Sequence, residues 1–354
     1  SSQFRIGVSG HTAAPADGPY GGSFGINGAI SKLNSLGAKV YRGIRVRDDT
    51  TSGFGIKTIA TDVDLLLAQG IDPVVGLMYK PLLQPDEATA YAFGFGKAKA
   101  LATALQGKAV KYYEIGNELD LSCHIRLSAS RGRSPSDYDT TKYNLCRGLV
   151  KGLIAGVKSV NPNAQVIVGS SGWFHWGYQL RLWRDGVRWD LSGFHWYSKF
   201  DGGSAAIPGT DFGGGYNIFD VLKNSFARPI VCTEFGANYS QFGTDDAARA
   251  AWLTRTMTEW KSISANYSFL FATVYEMLDE PQTRAGFEQQ RIGIFTSTGA
   301  EKPQSRAVRA WISNDNSTSS QPPPPTPSPS PGPSSTPTPS PAANLRVLDG
   351  TEPL

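Results

Sequence analysis

Eight times along this chain a short apolar, β-rich run is followed by a longer stretch of helical periodicity, and that alternation limits what it can fold into. The runs are FRIGVSG (4–10), KVYRGIRV (39–46), DPVVGLM (72–78), KYYEIGNE (111–118), QVIVGSSG (165–172), DLSGFHWYS (190–198), PIVCTEFGA (229–237) and FLFATVYEML (269–278). In the fourth helical stretch Cys146, Leu149, Val150, Leu153, Ile154 and Val157 share one stripe, and Asn161-Pro162 stops it. In the seventh, Thr244 is a plausible N-cap, Asp245 and Asp246 occupy the first turn, and Trp252, Leu253, Thr256, Met257 and Trp260 share a face. A final helix near Ser305 to Ile312 would close the set. Repeated strand-then-helix units require parallel strands joined by right-handed crossovers, in a closed barrel or an open doubly wound sheet. The count of eight favours an α/β fold of the (β/α)8 TIM-barrel type. Neither GxGxxG nor GxxxxGKS/T follows a strand, which removes the usual nucleotide-binding reasons for an open sheet.

A single barrel fits a 354-residue chain in which 40% of residues are hydrophobic and 18% charged. From Gln321 to Pro341, however, the sequence QPPPPTPSPSPGPSSTPTPSP holds 11 of the 23 prolines and no charged or aromatic residue. Such a tract cannot supply a core and is typical of an extended spacer between modules. We therefore expect a catalytic domain over residues 1–314, a linker over 315–342 and a short tail over 343–354, with a further module beyond the linker. Linkers of this kind are common in extracellular enzymes that act on polymeric material, so a secreted protein is expected. The opening at Ser1, without a signal-peptide pattern, reads as a mature or trimmed chain.

The net charge of +4 is spread along the sequence without a basic run, so nucleic acid is not an expected partner. No apolar stretch is long enough for a membrane helix, and a monomer is expected. Three cysteines, Cys123, Cys146 and Cys232, match no metal or redox spacing. Cys123 and Cys146 are read either as a disulfide or as buried thiols, and Cys232, inside an apolar run, as a buried thiol.

In a barrel of this type the active site forms at the carboxyl ends of the strands. The fourth run ends in Asn117-Glu118, the sixth contains His195, Trp196 and Tyr197, the seventh reaches Glu234, and the eighth carries Tyr275 and Glu276. Strands 4 and 7 lie on opposite sides of a barrel mouth, so Glu118 and Glu234 can aim at one point. Paired carboxyl groups, one protonated and one ionised, are what cleavage of a glycosidic bond requires. Glu114 has the parity of Glu118 but lies deeper, and is expected to pair with a barrel arginine or lysine. Arg42 and Arg45 have opposite parity on the second run, so one of them, preferably Arg42, should face the interior.

These residues resemble the clan A glycoside hydrolases. YYEIGNELD (112–120) looks like their strand-4 motif and PIVCTEFGA (229–237) like their strand-7 motif. The resemblance implies a retaining double displacement with Glu118 as acid/base, Glu234 as nucleophile and Asn117 on the sugar 2-hydroxyl. GAKVYRGIRV (37–46) resembles the second strand, which places the arginine that supports the nucleophile at Arg42. FHWYS (194–198) resembles the sixth, with His195 lining the site and Tyr197 bonded to the nucleophile. VYEMLDEP (274–281), followed by GIFTSTGAEKP (293–303), looks like the closing segment of family 39 β-xylosidases and exopolysaccharide hydrolases. Gly116 and Tyr275 depart from the tryptophans often found at those places.

Sugar rings stack their C–H faces on aromatic rings, and Trp173 and Trp196 are expected to contact sugar. An open groove lined by Trp173, Trp176 and Trp196 would favour endo action. Phe212 and Tyr216 would border the cleft, and His11 would either bond a sugar hydroxyl or serve the framework. Substrate-binding roles are also assigned to Tyr275 and Glu276. No histidine and carboxylate set has metal-ligand spacing, and this hydrolysis needs no cofactor. The alternatives are a family 5-like endo-glucanase or endo-mannanase, and a carbohydrate-binding barrel without catalysis. A Ser/His/Asp hydrolase is disfavoured, since no GxSxG elbow is present.

Overall fold

In the computed structural model, residues 3–319 are described except 13–17, 48–55, 126–131, 173–174, 202–204, 212–214, 282–287 and 289. Eight parallel strands close on themselves in sequence order: β1 (Arg5–Ser9), β2 (Val40–Arg47), β3 (Asp72–Met78), β4 (Tyr112–Ile115), β5 (Gln165–Ser170), β6 (Leu191–Tyr197), β7 (Ile230–Gly236) and β8 (Phe269–Val274). The seam is the pairing of β1 with β8, from Arg5 opposite Phe271 to Val8 opposite Val274. The fold is the expected (β/α)8 barrel.

Among the described residues the α-helices are, in chain order, α1 (Gly25–Leu36), α2 (Ile56–Ala68), α3 (Glu87–Ala104), the short α4 (Leu119–Cys123), α5 (Thr140–Val160), α6 (Trp176–Arg184), α7 (Ile218–Phe226), the short α8 (Tyr239–Phe242), α9 (Asp246–Tyr267) and α10 (Pro303–Ser319). Some of their starts carry side-chain caps: Asp139 accepts from the Lys142 N–H, and Asp245 from the Ala248 N–H. Asp245, not Thr244, is the N-cap of α9. None of the described helices is long and apolar enough to cross a membrane.

The core has two parts. Inside the barrel, Val40, Val74, Tyr112, Ile167, Leu191, Val231 and Phe271 fill the end away from the strand carboxyl ends. Strand alternation sends their neighbours outward, where Tyr41, Val75, Tyr113, Val166, Phe194 and Cys232 join the larger core under the helices. The filled end leaves the opposite mouth as the place where polar side chains can gather. The three cysteines are buried free thiols. Cys123 and Cys146 both turn toward the Leu119 carbonyl, at 3.6 and 3.8 Å.

Candidate active site

The site is built by two irregularities at strand ends. After β4 the chain enters the left-handed region at Gly116 (φ 76°) and again at Glu118 (φ 49°, ψ 41°), a conformation that costs a residue with a Cβ about 1–2 kcal/mol. This turn lets Glu118 lead directly into α4 and leaves Asn117 and Glu118 on the mouth. The helix is pinned by fully buried Asp120, which accepts bonds from the Ser171 N–H (2.9 Å), the Ser171 hydroxyl (2.6 Å) and His175 Nδ1 (2.7 Å).

On β7 the register slips. Phe194 lies opposite Cys232 but His195 opposite Glu234, so Thr233 is an extra residue on that strand. The bulge lets both Thr233 and Glu234 reach the same histidine. His195 Nε2 lies 3.0 Å from Thr233 Oγ1, while Nδ1 lies 2.8 Å from Glu118 Oε1 and 3.4 Å from Glu234 Oε2. Burial pushes the His195 pKa down, but the two carboxylates outweigh it and raise it overall.

One oxygen of Glu118 and one of Glu234 lie within 4.8 Å of each other. Carboxyl groups about 5–5.5 Å apart suit direct attack, whereas about 6.5–9.5 Å leaves room for an intervening water. Their environments differ. Glu234 is buried, which would raise its pKa; the charges of His195 and Arg42 and the Tyr197 hydrogen bond outweigh this and hold it below the ordinary value. Glu118 is raised, first by burial and further by the charges of Glu234 and Asp120, against the lowering pull of His195. One carboxyl group is set to be ionised and the other to keep its proton.

Arg42 is the hub of the supporting shell. Its Nε bonds Glu114 Oε2 (2.6 Å), Nη1 bonds Glu234 Oε1 (2.6 Å) and Nη2 bonds Asn117 Oδ1 (2.7 Å). Because the Asn117 carbonyl is taken, its exposed amide presents NH2 as a donor. The Tyr197 hydroxyl donates to Glu234 Oε2. Across the mouth, His11 Nε2 contacts the Tyr275 hydroxyl (3.0 Å), Glu276 Oε2 (3.1 Å) and Glu280 Oε1 (3.3 Å). The Tyr20 hydroxyl donates to Glu276 at 2.8 Å and accepts the Leu278 N–H.

Several expected site residues lie elsewhere. Trp196 is 1% exposed and faces the helix layer, because His195 takes the inward parity of β6; its indole bonds Asp201 Oδ1 at 2.8 Å, so it offers no face to a sugar. Trp176 is buried at the start of α6 against Tyr216, which removes a second aromatic from the expected groove. Trp173 and Phe212 lie outside the described residues. Glu276 is fully buried, so its carboxyl supports His11 and Tyr20 and cannot touch a saccharide. Strand parity with Arg42 inward turns Arg45 away from the interior, yet Arg45 reaches the mouth and bonds His11 Nδ1. The reason is a slip on β2, where Tyr41 pairs with Pro73 but Ile44 with Val75, so one extra residue reverses the alternation. Thr233, Tyr20 and Asp120 were not anticipated, and no motif marks them.

Glu118, His195 and Glu234 present ligand-type atoms close enough for a metal, as do His11, Glu276 and Glu280. In the first group Glu234 is already bonded by Arg42 and Tyr197, and in the second Arg45 sits on His11. A guanidinium beside each group opposes a cation.

No family model matches the chain, and no curated protein matches it. Solved structures do. A family 39 glycoside hydrolase from the gut symbiont Bacteroides cellulosilyticus WH2 aligns over 88% of this chain with TM-score 0.60 and 19% identity; the chain covers 64% of that longer protein. A GH5_18 protein from Bifidobacterium longum aligns over 89% of this chain and 80% of its own, with TM-score 0.66 and 15% identity. The Ignisphaera aggregans GH53 catalytic domain aligns over 88% and 96%, with TM-score 0.61 and 15% identity. At such identities the likeness is one of fold, and these neighbours are glycoside hydrolases.

Proposed function

We propose that this protein is a retaining glycoside hydrolase that cleaves β-glycosidic bonds of a plant or microbial saccharide, with Glu234 as nucleophile and Glu118 as acid/base. The observation that carries this is the pair of carboxyl groups with oxygens within 4.8 Å and opposite protonation tendencies. Glu234 attacks the anomeric carbon while the Glu118 proton passes to the leaving oxygen, giving a glycosyl ester on Glu234. Glu118, now a carboxylate, takes a proton from water, whose oxygen displaces Glu234 and restores the β configuration. The His195 ring lies between the two carboxyl groups, and positive charge on it favours the ionised form of Glu234. Asn117 is suited to donate to the sugar 2-hydroxyl.

Glycoside hydrolase neighbours with the same barrel support the reaction class, and the VYEMLDEP segment supports a family 39-like enzyme. The Pro/Thr/Ser tract supports action outside the cell with an appended module. The test compares wild type with Glu234→Ala and Glu118→Gln on aryl β-glycosides and polysaccharides, following the first-formed anomer by NMR. We expect a β-anomer first, and losses of roughly 10²–10⁴-fold in each variant. Equal rates for wild type and variants across the panel would sink the proposal, and an α-anomer first would replace retention by inversion.

A further inference from the structure

Two arginines of β2 reach the mouth, and their surroundings differ. Arg42 is saturated, with Glu114, Glu234 and Asn117 each bonded to a different nitrogen. Arg45, beyond the bulge, has a single hydrogen-bond partner among the described residues, His11, and no carboxylate in ion-pair contact. Its Nε is shielded from solvent and has no hydrogen-bond partner among the described residues. A half-buried guanidinium without a counter-ion among the described residues is unfavourable, and the charges of Arg47 and Arg42 add repulsion.

The neighbouring acids do not supply the missing partner. Arg45 can only donate, so His11 accepts through Nδ1 and its Nε2–H faces Tyr275, Glu276 and Glu280. Burial and the three arginines of β2 lower the His11 pKa, which keeps the ring neutral. Burial, and next the charge of Glu280, raise the Glu276 carboxyl well above its ordinary value, so it keeps its proton. Glu280 meets His11 on the nitrogen away from Arg45.

Arg45 is also placed where a substrate would arrive. The Tyr275 ring stands edge-on to His11 at 5.7 Å and edge-on to Tyr197 at 6.2 Å, and Tyr197 bonds Glu234. A glycone that starts at Glu234 and extends past Tyr275 therefore brings its substituents to Arg45. A planar guanidinium fork matches a carboxylate in two parallel bonds. From these contacts we propose that Arg45, held in place by His11, forms a subsite for the carboxylate of a uronic acid, so that the substrate is a uronate-containing saccharide. This rests on the glycosidase function proposed above.

The test measures kcat/KM for 4-nitrophenyl β-D-glucuronide and β-D-galacturonide against the matching glucoside, galactoside and xyloside, in wild type, Arg45→Met and Arg45→Lys. We expect wild type to favour a uronide by about tenfold or more, with the ratio falling toward unity in Arg45→Met, staying intermediate in Arg45→Lys, and declining with salt. A wild type that favours neutral sugars, or a ratio unmoved by Arg45→Met, overturns the subsite. If no glycoside is cleaved, the catalytic proposal fails and the subsite is judged by thermal shift with D-glucuronate and D-glucose. A rise with D-glucuronate alone that Arg45→Met abolishes supports it, and no rise overturns it.

Discussion

One guanidinium does much to separate the two carboxyl groups chemically. Arg42 bonds Glu234 and contributes to holding its pKa below the ordinary value, whereas it is not among the main influences on Glu118. The acid limb of the pH profile should thus report Glu234 losing its ionised form, and the alkaline limb Glu118 losing its proton. In Arg42→Gln the Glu234 pKa rises, so ionised nucleophile is lost at a higher pH and the acid limb moves up by about one unit or more. Tyr197→Phe should move it the same way by less, and kcat/KM profiles of the three proteins check this. An acid limb unmoved in Arg42→Gln would remove Arg42 from that role. At this scale the sequence was partly legible. Asn117-Glu118, Glu234, His195 and Tyr197 stood out because strand ends were the right places to look, whereas Trp196 was misassigned by chemistry against a parity already visible beside His195.

Elements were legible where burial follows a period and illegible where it does not. All eight strands fall on the apolar runs, since each is buried on both faces and reads as a continuous patch. The single-residue bulges on β2 and β7 leave no trace in such a patch, and they decide that Arg45 and Thr233 face the site. The contact of α3 with α5 was also hidden. The Leu and Val stripe of α5 carries the visible period, but backbone approach is set by Gly148, Gly152 and Gly156 against α3. A Cβ at Gly152 would lie 2.1 Å from the Tyr91 carbonyl oxygen, so the helices must part to admit it. Gly96, exposed on α3, meets nothing within 4 Å. Gly152→Ala should therefore cost about 1–3 kcal/mol, less the helix-propensity gain, while Gly96→Ala should add about 0.5–1 kcal/mol. Urea unfolding of both variants decides it; stabilisation in both would show that propensity, not packing, governs this pair.

At the scale of the molecule, the ring depends on its last helix. Its helix layer is completed over the β1–β8 seam by α10, which lies against α9 and α1 and buries Val308 and Ile312, with Trp311 edge-on to Phe4 of the segment entering β1. Just before it, Lys302 Nζ bonds both oxygens of Asp279 and the Gly293 carbonyl at 2.7–3.1 Å, tying the segment after β8 to the helix start. Removing the partner of a buried ion costs about 3–5 kcal/mol, and uncovering each large aliphatic side chain about 1.5–3 kcal/mol. Together these approach the whole stability of a domain, about 5–15 kcal/mol. The Pro/Thr/Ser tract has no comparable apolar or charged groups to contribute. A chain ending at Ser319 should thus melt cooperatively at the temperature of the full chain and keep its rate on aryl glycosides, whereas one ending at Gly299 should lose both the transition and the activity. Circular dichroism melts beside the hydrolysis assay make the comparison, and a chain ending at Ser319 that melts well below the full one would extend the folded unit into the tract.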